Sequence, residues 1–148
     1  MKFMMFMIPN VYQPGTPADE QAGEGFAPPA EAVEAMMKFN EELAKADALI
    51  ALDGLHPLTN GARVSFKGET PTVTDGPYIE AKEVIGGYWM IDVASKEEAV
   101  EWARKCPADA GDVIEIRQVF AEEDFPEDVR KATDNQAVIE AVERGKTR

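Results

Sequence analysis

Hydrophobic positions along the chain switch between two periods, and the switches lay out most of an architecture. Residues 2 to 8, KFMMFMI, form a short apolar run stopped by Pro9-Asn10. The length and the proline stop predict a buried strand rather than a helix. From Pro29 to Asp47 the period becomes helical: Val33, Met36, Met37, Asn40, Leu43 and Ala44 recur on one stripe, behind a proline and the acidic Glu31 and Glu34. The methionines there read as core filler rather than a pliable binding face. "ALIALDGLHP" predicts a strand near Leu49 to Leu52, then a turn. "ARVSFKG" and "TPTVTDG", β-branched and parted by Gly68, predict a hairpin. "VIGGYWMIDV" reads as a central strand. Ser95 and Glu98 form a capping box for a helix with Ala99, Trp102, Ala103 and Cys106 on its buried stripe and Pro107 as its stop. "DVIEIRQVF" alternates with period two, as a half-buried strand does.

The order is β-α-β, hairpin, β-α-β. It predicts an α+β domain of the ferredoxin-like, split β-α-β kind with an extra hairpin: an antiparallel sheet with both helices on one face. The other face then needs cover, and a second copy of the chain is the simplest cover, so a homodimer is expected. Two segments fall outside this pattern. "YQPGTPADEQAGEGFAPP", from Tyr12 to Pro29, has no period; its composition suits a mobile loop, with a lid or a partner contact as alternatives. After Phe120 the chain is acidic and then helical from about Glu127 to Arg144, with Gly145 as a C-cap. Val129, Ala132, Val138, Ile139 and Val142 give this helix a modest apolar face. The expected organisation is a domain over 1–120 and an appended C-terminal helix over 121–148, packing on the body or on a partner subunit.

Composition narrows the classes. The chain has 148 residues, 45% of them hydrophobic and 29% charged, which suits one soluble globular domain. A chain of this length buries about 68–70% of its unfolded surface, so neither metal nor disulfide is needed as a staple. The formal charge is -13 with no basic stripe, which excludes phosphate-backbone binding and adsorption to an anionic membrane. The apolar start is about one strand long and lacks a small-residue cleavage site, so it reads as neither a signal peptide nor a membrane span. The lone Cys106 has no internal partner. A cytoplasmic protein is expected.

"KFMMFMI", "FNEELAKADALIALDGLHP", "TDGPYIEAKEVIGGYWMIDV" and "EEAVEWARKCP…GDVIEIRQV" together resemble the YCII-related family, in particular its DGPF branch. The branch takes its name from the tetrapeptide that stands here as DGPY, Asp75 to Tyr78, with tyrosine in place of phenylalanine. The resemblance covers roughly residues 1 to 120 and implies a dimeric α+β barrel, two ferredoxin-like subunits packed sheet to sheet, with a cavity between each sheet and its helices. The superfamily includes isomerases, oxygenases and ligand-binding regulatory domains, so the fold does not supply an activity. Some related proteins carry a His–Asp pair proposed as catalytic; no pair in this chain maps onto it residue by residue.

The candidate chemistry is sparse. His56 is the only histidine and the natural acid/base group at neutral pH, with Asp53 three residues upstream across an expected turn. A lone exposed histidine is the bland alternative. Asp75-Gly76-Pro77 is explained as a turn, with an Asx-type bond from Asp75, a positive φ at Gly76 and a fixed φ at Pro77. A catalytic Asp75 is the second reading. Glu80 and Lys82 share a face of an extended segment, with Glu83 beside them, and suit an acid–base group, a polar ligand contact or a solvated rim. Tyr78, Glu83, Gly86, Gly87 and Tyr88 are candidates for the wall of a ligand cavity or a dimer seam, since a glycine pair in a strand marks close approach. No CxxC, HExxH, phosphate-binding glycine loop or GxSxG is present, so neither a zinc site nor an organic cofactor is implied; a carboxylate-only metal site stays open. Three functions remain: a small-metabolite binder, a cofactor-independent acid–base enzyme using His56 or the Asp75/Glu80/Lys82/Glu83 group, and a protein-partner or regulatory module. The first predicts an apolar cavity, the second a buried ionisable group, and the third an exposed apolar patch at Val138, Ile139 and Val142.

Overall fold

The computed structural model describes residues 1–77 and 83–146. Its main sheet is built from β1 (Lys2–Ile8), β2 (Leu49–Gly54), β5 (Gly87–Asp92) and β6 (Val113–Gln118), in the order β2-β5-β1-β6. Every neighbouring pair is antiparallel. Helix α1 (Ala30–Lys45) joins β1 to β2 and α2 (Lys96–Lys105) joins β5 to β6, which is the ferredoxin-like arrangement. The hairpin of β3 (Ala62–Ser65) and β4 (Thr72–Asp75) is a separate two-stranded sheet inserted between β2 and β5.

Strand pleat explains which side is core. Phe3, Met5 and Met7 of β1 stand opposite Ile91, Trp89 and Gly87 of β5, and Met5 and Met7 stand opposite Ile116 and Ile114 of β6. These residues pack with Phe39 and Leu43 of α1 and Ala99 of α2 in one cluster, with Trp102, Ala103 and Cys106 against it. Both helices therefore lie on this face, as the order of elements predicts. The α1 stripe is rotated from the expected one. Phe39, Asn40 and Leu43 are its buried residues, whereas Val33, Met37 and Ala44 are exposed, because Phe39 turns inward to meet Trp89 and Trp102 edge-on. The opposite face carries Met4, Phe6, Tyr88 and Met90, all half-buried, flanked by Glu115 and Arg117.

Helix ends follow local chemistry. Ser95 Oγ accepts from the Glu98 amide at 3.2 Å while the Glu98 carboxylate accepts from Ala94 N–H at 2.9 Å. At the C-terminal end of α1, Asp47 adopts φ 55°, with Asp47 N–H on Ala44 O and Ala48 N–H on Leu43 O. This is a Schellman closure with aspartate in the left-handed position usually held by glycine.

Three expectations change. The 12–29 loop is tied down. Gln13 acts as a surrogate strand for Val84, donating to its carbonyl and accepting from its amide, both at 2.9 Å, and the Tyr12 hydroxyl donates to Leu55 O. Thr16 bonds Asn10 O, and Phe26 packs edge-on against Tyr12. The single C-terminal helix is two, α3 (Glu127–Thr133) and α4 (Gln136–Lys146). The break comes from Asn135, whose side chain accepts from Val138 N–H and starts a new helix, and Gly145 lies inside α4 rather than capping it. The DGP turn also has another cause. Gly76 has no positive φ and Asp75 makes no side-chain hydrogen bond among the described residues. Gly76 is needed because a Cβ there would fall 1.7 Å from Leu58 O, where its N–H bonds Gly61 O.

An L-residue in the left-handed region carries a conformational cost that glycine avoids. Asp47→Gly is expected to stabilise the protein by about 0.5–1 kcal/mol, raising the melting temperature by about 2 °C. Urea denaturation of the two forms checks this, and an unchanged or lowered midpoint would contradict it.

Candidate functional site

The core face of the sheet ends in a row without side chains. Gly54 of β2 and Gly87 of β5 are direct cross-strand partners there, one step beyond Leu52 and Trp89. Beside them lies a cavity of about 160 Å³ whose walls are mostly apolar: Met7, Met36, Leu52 and Trp89 line it, together with Asn40 and the backbone from Gly86 to Tyr88. The two glycines differ. A Cβ on Gly54 would meet nothing within 4 Å, so the space beside it is empty. A Cβ on Gly87 would sit 3.0 Å from Asp53 O, and one on Gly86 would lie 2.5 Å from the Pro9 ring. Gly86 thus allows the 9–29 loop to close over the strand entrance.

Asn40 is the one polar side chain of the α1 buried face and is only 7% exposed. Its Oδ1 accepts from Trp89 Nε1 at 2.8 Å, and among the described residues its Nδ2 meets only Met37 Sδ at 3.8 Å. An indole nitrogen is a donor only, so this contact fixes which end of the amide is which. The ionisable residues of the lining, Asp53 and Tyr88, stand opposite each other on the pleat away from Trp89. The Tyr88 hydroxyl donates to Asp53 at 2.7 Å, and that bond, with desolvation and the Asp53 charge behind it, raises the phenol above its ordinary range.

His56 stands apart. It is exposed, in a shallow cleft of about 190 Å³ lined by Tyr12, Phe26, Pro28, Leu55 and Pro57, and it touches the main cavity only through Gly54, which borders both. Asp53 accepts from Tyr88, and among the described residues no hydrogen bond joins Asp53 to His56. Burial raises the Tyr12 phenol in the same cleft. Of the other candidates, Gly86, Gly87 and Tyr88 line the cavity, while Asp75 and Glu83 are exposed and do not. Tyr78, Glu80 and Lys82 lie outside the described residues. Among the described residues, no three His, Cys, Asp or Glu side chains come together as a metal-holding group.

A family model of the YCII-related domain matches residues 2–123, and the span takes in both β-α-β units and the cavity. The chain belongs to the YCII-related family. An uncharacterised protein of Rhizobium meliloti (strain 1021) is 40% identical to this YCII-related protein over 50 residues, which is 34% of this chain and 40% of the relative. The match thus spans less than half of that relative. No described helix of this YCII-related protein is long and apolar enough to cross a membrane.

Sequence reasoning missed Asn40 and Trp89 as cavity residues. The available signal was an amide on an otherwise apolar helical stripe. Cys106, expected as a core thiol, packs against Met36 Sδ at 4.0 Å, and burial, helped by the Asp112 charge, pushes it up to about 11. An unfolded thiol ionises near its ordinary value of 9.0, so the stability tied to the protonated thiol is present below pH 9 and is lost as pH rises through 11. Iodoacetamide at pH 8 is expected to label Cys106 at least about tenfold more slowly in the native protein than in urea. Equal rates would mean the thiol is not shielded.

Proposed function

We propose that this protein binds a small, largely apolar metabolite in the cavity between α1 and the sheet, and that it does so as a homodimer. The observation that carries the binding reading is the facing pair Gly54 and Gly87, which opens about 160 Å³ beside a buried Asn40–Trp89 pair. An apolar cavity of about 150 Å³ holds a benzene-sized guest. Turnover by acid–base chemistry needs an ionisable group within reach of the guest. Asp53 and Tyr88 are the ionisable residues of the described lining, and they hydrogen-bond to each other at 2.7 Å. The binding reading therefore has more support than the enzyme reading, which draws on His56 or the 75–83 group.

The homodimer reading rests on the second face of the sheet. Met4, Phe6, Tyr88 and Met90 form an apolar patch there, and α3 and α4 bury none of their own residues. A second sheet is the complement such a flat, half-apolar face accepts. A partner reading of the C-terminal extension has one observation in its favour: Val138, Ile139 and Val142 of α4 are all exposed.

Gly54→Val adds bulk at a residue that lines the cavity, where an added Cβ meets nothing within 4 Å. A ligand present at a hundred times its dissociation constant is expected to stabilise the wild type by about 2.7 kcal/mol in a thermal-shift screen, and Gly54→Val is expected to erase that shift while keeping the fold. A ligand shift that survives Gly54→Val would move the site elsewhere. Phe6→Asp puts a charge on the second face twice over in a two-fold dimer, and is expected to weaken association by about 3 kcal/mol, roughly a hundredfold or more. Light scattering checks it; a wild type that is monomeric at 100-micromolar-order concentration, about the range where weak interfaces dissociate, would sink the dimer.

A further inference from the structure

We propose that Asn40 selects the occupant of the cavity, and that the occupant is a neutral, ring-sized molecule with one hydrogen-bond acceptor, a carbonyl or similar oxygen. This inference rests on the cavity reading above and adds the chemical class. It starts from the indole. Trp89 Nε1 only donates, so Asn40 Oδ1 is committed to it at 2.8 Å and the amide presents its NH2 group elsewhere. One of those hydrogens faces Met37 Sδ at 3.8 Å, and a thioether is a weak acceptor. The other has no partner among the described residues, and Asn40 is buried beside the cavity. A buried donor of this kind favours an occupant that brings an acceptor.

The remaining walls set the rest of the class. Met7, Met36, Leu52 and Trp89 offer only apolar contact, and a volume of about 160 Å³ suits one six-membered ring. No Lys, Arg or His lines the cavity among the described residues, and the Asp53 carboxylate is held by the Tyr88 hydroxyl on the other side of the pleat. A carboxylate guest would be buried without a counter-ion, and an amine would point donors at a donor. A neutral oxygen acceptor meets neither difficulty. The same logic, in which a site built to hydrogen-bond a group rejects the analogue lacking it, governs selectivity in buried polar pockets generally.

The test is a titration of the full 15N-labelled chain with cyclohexanone, benzene, cyclohexanecarboxylate and cyclohexylammonium, following the Trp89 indole N–H and the Asn40 side-chain NH2 signals. Trp102→Phe assigns the indole signal. Cyclohexanone is expected to bind about tenfold or more tightly than the other three and to move the Asn40 NH2 signal, and Asn40→Leu is expected to level the four affinities. If Asn40→Leu does not fold, the ranking in the wild type and the movement of the Asn40 signal decide the matter alone. If the probes bind equally, or benzene binds best, and Gly54→Val abolishes their binding, the cavity stands and selection by Asn40 is overturned. If no probe moves either signal in the wild type, the cavity reading fails and takes this inference with it.

Discussion

The hydrogen bond from the Trp89 indole to the Asn40 amide is the contact on which the geometry of the helix-facing side depends. It joins the middle of a central strand to the middle of α1 inside a region that is otherwise hydrocarbon. Two groups with buried polar atoms each need a partner, and here each is the other's. That requirement sets the register of α1 along the sheet more narrowly than apolar packing alone, because hydrophobic contact is non-directional. Phe39, one residue before Asn40, is thereby turned onto the two tryptophans, and Leu43 one turn later closes the core. Beyond Trp89 the strand carries no side chain on this face, and the empty space begins there.

The loops that border the cavity are held by backbone accounting rather than by regular structure. Gln13 supplies Val84 with both the donor and the acceptor that a neighbouring strand would provide. Asp112 does a similar service on the other side, accepting from Asn10 N–H and Asp109 N–H, and so links the exit of β1 to the entrance of β6. A proline- and glycine-rich stretch can thus be well fixed when a few side chains take over the pairing of its neighbours.

Much of this was legible in the chain. The strands and the two core helices announce themselves because burial on one face imposes a period of two or of 3.6, and Ser95 with Glu98 marks its helix start. What the chain does not announce is what arises between segments. Gly54 and Gly87 look like separate turn or strand glycines until β2 pairs with β5 and brings them face to face. Asp53 looks like a neighbour of His56, yet it pairs with Tyr88, far along the chain, because cross-strand distance is shorter than the route round a turn. The glycine of the DGP turn is dictated by the carbonyl of Leu58, a contact no local rule contains. The break between α3 and α4 was readable in principle, from the capping preference of Asn135, but the helical period runs across it.

Strand β5 has one further property. Its pleat sends Trp89 toward the helices and Tyr88 and Met90 to the opposite side, so adjacent residues serve two different surfaces. The backbone that carries Trp89 past the proposed cavity is the same backbone that presents Tyr88 and Met90. Thermodynamic reciprocity then applies: whatever factor an occupant of the cavity contributes to association across the far face, association returns to the occupant. In the proposed dimer, one strand would then border both the cavity and the seam between subunits.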